Sequence, residues 1–169
     1  MLARVMSQGH RLDPDSLGDH LDRLYRAAWS LCGSREEAED LVQETFARVL
    51  RKPRYLRGED DIGYLLRVLR NTFVSARRAA ARRPLTDPLP DDLTTVEDRA
   101  APSPEARLET AALYAAIAAL PPQFRDAIVA VDVAGLSYRE AARALRVREA
   151  TLTTRLHRAR GRVADALGL

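Results

Sequence analysis

The sequence predicts an all-α protein: two small helical modules joined by a flexible, acidic, Pro-rich linker, with a C-terminal helix-turn-helix. Three observations predict it. Apolar residues recur at helical spacing in both halves of the chain, and a stretch with five prolines and an excess of acids divides them. Leu136–Val163 reads as two short helices around a tight turn, the second studded with arginine.

The first module spans residues 16–83. Leu21, Leu24, Tyr25, Ala28 and Leu31 form its first apolar stripe, and Ser34 with Glu37 marks the next helix start. Leu41, Val42, Phe46, Val49 and Leu50 make a second stripe. Ile62, Leu65, Leu66, Leu69 and Phe73 make a third, beyond which the helix turns to Ser, Ala and Arg. This flank reads as helices throughout, while Met1–Asp15 has no clear periodicity. Residues 84–106 form the linker, extended and mobile when free, so each flank is expected to bury its own core.

Residues 107–169 form the second module. Ser137 opens a capping box with Glu140, and Ala141, Ala142 and Leu145 give a small-residue stripe that admits a second helix closely. On that second helix Leu152 and Leu156 face inward. Thr151, Thr153, Thr154, Arg155, His157, Arg158, Arg160 and Arg162 occupy the remaining surface, where hydroxyl, imidazole and guanidinium groups can reach base edges and phosphates.

Composition narrows the class. A chain of 169 residues allows one average domain or two helical bundles of roughly 60–80 residues each. No apolar run reaches the roughly 18 residues of a membrane span, and no apolar N-terminal segment precedes a cleavage site. No membrane insertion or secretion is indicated, and a cytoplasmic location is expected. The single cysteine, Cys32, excludes an internal disulfide and a Cys-rich zinc site, and beside Trp29, Ser30 and Leu31 it reads as a small core residue.

The net charge of +3 hides a segregation. Arg67–Arg83 holds six arginines and no acid, a local charge of +6. Arg139–Arg162 holds eight arginines against two acids, again +6, while Pro84–Glu109 carries −5. Two basic blocks flanking an acidic connector suit two contacts with a polyanion, because each cation near a phosphate releases counterions. In the first block Asn71 and Thr72 sit beside Arg70, a cluster able to hydrogen-bond bases. A buried cap accounts for Asn71 equally well.

Asp40, Gln43, Glu44 and Arg48 line the outer face of the second helix. No His or Cys follows at ligand spacing, and exposed carboxylates in water are not perturbed enough for catalysis. No phosphate loop, Gly-x-Ser-x-Gly turn or His-Glu-x-x-His motif occurs, and His10, His20 and His157 lie far apart. No enzyme, metal or cofactor is expected. The polar face reads as a docking surface, although a solvated helix face accounts for the spacing equally well.

AEDLVQETFARVL (Ala38–Leu50), GYLLRVLRNTFVSARR (Gly63–Arg78) and LPPQFRDAIVAVDVAGLSYREAARALRV followed by TRLHRAR (Leu120–Arg160) together resemble the extracytoplasmic-function sigma factors. These are short bacterial members of the sigma-70 family, and the blocks fall in family order. The resemblance implies a protein that binds core RNA polymerase and directs it to promoter DNA. It implies docking on polymerase through Asp40, Gln43, Glu44 and Phe46, with Phe46 more a core residue than a contact. Minus-ten recognition falls on Arg70, Asn71, Thr72, Arg77 and Arg78, with Asn71 and Thr72 near a flipped base. Minus-thirty-five recognition falls on Thr153, Thr154, His157 and Arg158 toward the major groove, and on Thr151, Arg155 and Arg160 toward phosphates. The linker resembles the segment that threads toward the polymerase active site, and an anti-sigma factor is implied as a further partner. The chain departs from the family at the helix-turn-helix turn, where Arg146 replaces a usual Gly, and at Arg148, Ala150, Thr153 and Tyr64. A sigma-like mimic that sequesters an anti-sigma factor is the alternative, disfavoured because both basic blocks are kept.

Overall fold

Each apolar stripe becomes a helix, and capping side chains set where the helices begin. The structure is a computed structural model describing residues 9–56, 60–83 and 103–169. Its α-helices are α1 (Leu21–Cys32), α2 (Arg35–Arg51), α3 (Asp61–Ala81), α4 (Pro104–Ala118), α5 (Pro122–Ile128), α6 (Tyr138–Leu145) and α7 (Glu149–Leu167). A π-helical turn, Val129–Val133, continues α5. The Ser34 hydroxyl accepts from the Glu37 amide, Asp60 from Gly63 and Ser103 from Ala106, each meeting an otherwise orphaned N–H. Ser137 and Glu140 form the complete reciprocal box foreseen for α6.

Several expectations are corrected. The N-terminal flank is not helical throughout: β1 (His10–Arg11) pairs antiparallel with β2 (Tyr55–Leu56), and Pro14–His20 forms a 3-10 helix. Strands two residues long show no alternation by which a sequence could reveal them. The linker ends earlier than residue 106, because Ser103 caps α4 and Pro104 supplies its first turn. Most of the linker, residues 84–102, lies outside the described residues, as do residues 1–8. Leu21 and Leu50, assigned to the apolar stripes, are exposed.

The two flanks do not bury separate cores. One continuous cluster runs from Leu24, Leu31, Leu65 and Leu69 to Val129, Leu152 and Leu156. Helix α1 packs against α2 and α3 of its own flank and against α4 and the π turn of the other. Trp29 of α1 meets Tyr114 of α4 with ring centroids 4.6 Å apart, and Arg23 Nε donates to the Ala134 carbonyl at 2.8 Å. Gly33 ends α1 at φ 77°, and a Cβ there would stand 3.1 Å from that of Ala118, so the close approach of α4 also favours glycine.

The helix-turn-helix is present, and Arg146 occupies its turn at φ 56° and ψ 44°. The Val147 amide donates to Ala142 and the Arg146 amide to Arg143, the paired bonds of a Schellman cap. The turn is therefore of the type that favours glycine, and the arginine is strained rather than housed in a different turn. Arg146→Gly is expected to stabilise the chain by about 0.5–1 kcal/mol in chemical denaturation; a loss of stability would contradict this reading.

Candidate nucleic-acid interface

Helix α7 turns Leu152, Leu156, Ala159 and Val163 into the core. That leaves Thr151, Thr153, Thr154, His157 and Arg158 exposed and Arg155 half-exposed. The Thr153 and Thr154 hydroxyls donate to the Glu149 and Ala150 carbonyls at 2.9 and 3.1 Å, so their oxygens keep accepting capacity toward solvent. Arg160 differs from expectation. Its Nε and Nη2 donate to the two oxygens of Asp132 at 2.9 and 2.7 Å, a bidentate fork that occupies the guanidinium. That hydrogen bonding raises the Arg160 pKa further above its ordinary value.

On α3, Asn71, Arg77 and Arg78 are exposed. Thr72 is not: it is 3% exposed, its hydroxyl donating to the Val68 carbonyl at 2.8 Å. This corrects its expected place beside a flipped base, because helical geometry turns it inward next to Phe73. Arg70 Nε donates to Asp126 Oδ2 at 2.6 Å, across the seam between the flanks. Arg70, Arg77, Arg78 and Arg125 line a cleft of about 670 Å³ at that seam. Arg125 lies over the Phe73 ring at 5.0 Å and donates Nη1 to the Ala118 carbonyl at 3.2 Å. Its Nε is buried without a hydrogen-bond partner, and burial lowers its pKa.

On α2, Asp40, Gln43 and Glu44 are exposed, and Phe46 is half-buried and packed on the core. Arg48 Nε donates to Glu44 at 2.8 Å, and this bond lowers the Glu44 pKa. A groove of about 390 Å³ between α2 and α3 is lined by buried Leu41 and Phe73, with Glu37, Asp40 and Glu44 at exposed positions. Cys32 also lines it, half-buried, its thiol pKa pushed up to about 11 first by burial and then by Glu37.

Sequence reasoning overlooked Asp126, Asp132 and Arg125. The signal was there: Arg125, Asp126 and Asp132 are the only charged residues in the run Phe124–Leu136. Among the described residues no group of three His, Cys, Asp or Glu could hold a metal, and no helix is long and apolar enough to cross a membrane.

The described residues thus present two exposed arginine-bearing helices, one in each flank, the second of them in a helix-turn-helix. Residues 17–83 match the family model for sigma-70 region 2, and residues 110–163 match that for sigma-70 region 4. The chain belongs to the extracytoplasmic-function sigma factors of the sigma-70 family. It is 41% identical over 155 residues to "ECF RNA polymerase sigma factor SigE" of Mycolicibacterium smegmatis, covering 88% of this chain and 58% of that protein. It is 33% identical to "ECF RNA polymerase sigma factor EcfG" of Rhodopseudomonas palustris, covering 90% of this chain and 86% of that protein. The fold is similar to the sigma factor RpoE of Bartonella quintana, solved with the anti-sigma factor NepR, with a TM-score of 0.67, 23% identity and coverage of 92% and 96% of the two chains. CnrH, solved with the cytosolic domain of CnrY, gives a TM-score of 0.64 at 23% identity, covering 91% and 86%.

The shielded Cys32 carries a direct test. A pKa of about 11 leaves far less thiolate at pH 8, partly offset by the greater nucleophilicity of a more basic thiolate, so alkylation by iodoacetamide is expected to run about 10-fold or more slower than for a free thiol. Labelling at the rate of a free thiol would contradict the burial described.

Proposed function

We propose that this chain binds core RNA polymerase and directs it to promoters, reading a minus-ten element with α3 and a minus-thirty-five element with α7. The observation that carries the reading is the placement of one arginine-rich exposed surface in each of the two sigma-70 regions. On α7, Thr153, Thr154, His157 and Arg158 face solvent together and take the major-groove role, while Thr151 and Arg155 take phosphates. On α3, Asn71 is the base-reading side chain, supported by Arg70, Arg77 and Arg78. Thr72 acts from the core, fixing the helix that presents Asn71. Asp40, Gln43 and Glu44 form the polymerase-facing surface on α2, with Phe46 anchoring it from below. An anti-sigma factor is proposed as a further partner, by analogy with the complexes in which the two structural neighbours were solved, and the site of action is the cytoplasm.

Promoter geometry demands that the flanks part. Elements centred about 25 base pairs apart are separated by about 85 Å of duplex, at about 3.4 Å per step. Arg70 is hydrogen-bonded to Asp126 at 2.6 Å, so α3 lies against the α7-bearing flank. From Arg83 to Ser103 the chain can reach about 70 Å when extended, which, with the dimensions of the modules themselves, suffices for both elements.

The test is run-off transcription with core polymerase and a pool of promoter fragments, with the transcript starts sequenced. Defined starts sharing two upstream motifs are expected, and Arg158→Ala is expected to lose about 1–3 kcal/mol of discrimination at one position of the upstream motif. Equal loss on every sequence would make Arg158 a phosphate contact. Polymerase that neither binds the chain nor initiates with it would refute the function.

A further inference from the structure

One element reaches both basic blocks with a carboxylate. Asp126 on α5 receives Arg70 of the first block, and Asp132, six residues on in the π turn, receives Arg160 of the second. Six residues are about one and two-thirds helical turns, so the two carboxylates leave the element on different faces. One meets α3 and the other α7. Planar guanidinium binds carboxylate and phosphate in the same forked geometry, so each aspartate takes up donors that a DNA phosphate would otherwise use.

We propose that Asp126 and Asp132 act as internal substitutes for DNA phosphate, occupying Arg70 and Arg160 in the free chain and so holding down its affinity for DNA. The inference rests on the DNA-facing reading of α3 and α7 given above. The two pairs work differently. The Arg160–Asp132 pair is open to water, with side chains 50% and 32% exposed, so phosphate competes with it directly within one module. The Arg70–Asp126 pair crosses the seam, and the Asp126 side chain is only 10% exposed. Arg70 is released when the modules separate, which makes its availability to the minus-ten strand depend on opening. Both acids stand in a run whose only other charged residue is Arg125, yet each captures an arginine from a different basic block.

The test uses the full chain without polymerase, binding a fluorescently labelled duplex of mixed sequence between 50 and 200 mM salt by anisotropy. Asp132→Asn is expected to tighten binding several-fold and to steepen the slope of log K against log salt by about 0.9, one phosphate contact. Asp132→Ser is expected to do the same, and either change in an Arg160→Ala background is expected to do nothing. Asp126→Asn, measured on a single-stranded oligonucleotide, is expected to steepen the slope by about 0.7. An ion pair with a purely structural role would shift thermal unfolding but leave affinity and slope alone, and that result overturns the proposal. Arg158→Ala separates the two levels of inference. If it weakens duplex binding while the aspartate variants change nothing, the DNA-facing reading stands and this proposal falls; if neither it nor Arg155→Ala has an effect, both fall.

Discussion

The burial of α1 against helices of both flanks is the interaction that joins the two halves of the fold. A helix packed against α2, α3, α4 and the π turn keeps only a narrow polar face, at Asp22 and Arg26, and small residues are needed wherever two neighbours approach together. Ala27 and Ala28, both fully buried, serve that need, while fully buried Leu24 and Leu31 fill the wider spaces. With α1 seated in this way, α3 and α7 are held at the periphery, each with its apolar stripe inward and its arginines outward. The proposed recognition surface of α7 is a by-product of core packing: it consists of the residues left outside after Leu152, Leu156, Ala159 and Val163 are buried.

The seam between the flanks combines attraction with built-in dissatisfaction. Trp29 on Tyr114, Arg23 on the Ala134 carbonyl and Arg70 on Asp126 hold it together. Against them stands the buried, unpartnered Nε of Arg125, a desolvation penalty of about 1–3 kcal/mol. Four arginines around one cleft add mutual repulsion, which Asp126 offsets at its edge. Such an interface is able to form in the free chain and to yield when a larger binding energy draws the modules apart, as the proposed promoter binding requires. The proposed role of Asp126 follows from this balance, since the carboxylate that closes the seam is also the one that occupies a DNA-facing arginine.

Much of this was legible in the sequence because helical periodicity and capping are local. The stripes of α2 and α3, the Ser137–Glu140 box, and inward Leu152 and Leu156 each follow from residues within a few positions of one another. The departure from glycine at Arg146 was legible, but the type of turn was not, and the left-handed backbone there is a finding of the structure. What escaped is non-local. Arg70 and Asp126 are 56 residues apart, Arg160 and Asp132 are 28 apart, and no periodic signal connects them. Apolar spacing placed Leu21 and Leu50 on stripes, but whether a neighbour covers a stripe to its end depends on packing. Thr72 misled for a different reason: a hydroxyl that bonds back to the carbonyl four residues earlier is internally satisfied and can be buried, so its polarity alone does not mark it as surface.

The proposed function requires modules that are closed in the free chain and parted on the promoter. The most direct measurement is the distance between spin labels at Ala79→Cys on α3 and Ala166→Cys on α7, in a Cys32→Ala background, for the free chain and for the complete promoter complex with polymerase. A single short distance in the free chain and a distance longer by several tens of ångströms in the complex are predicted. The same short distance in both states would contradict the account, as would a long one in the free chain.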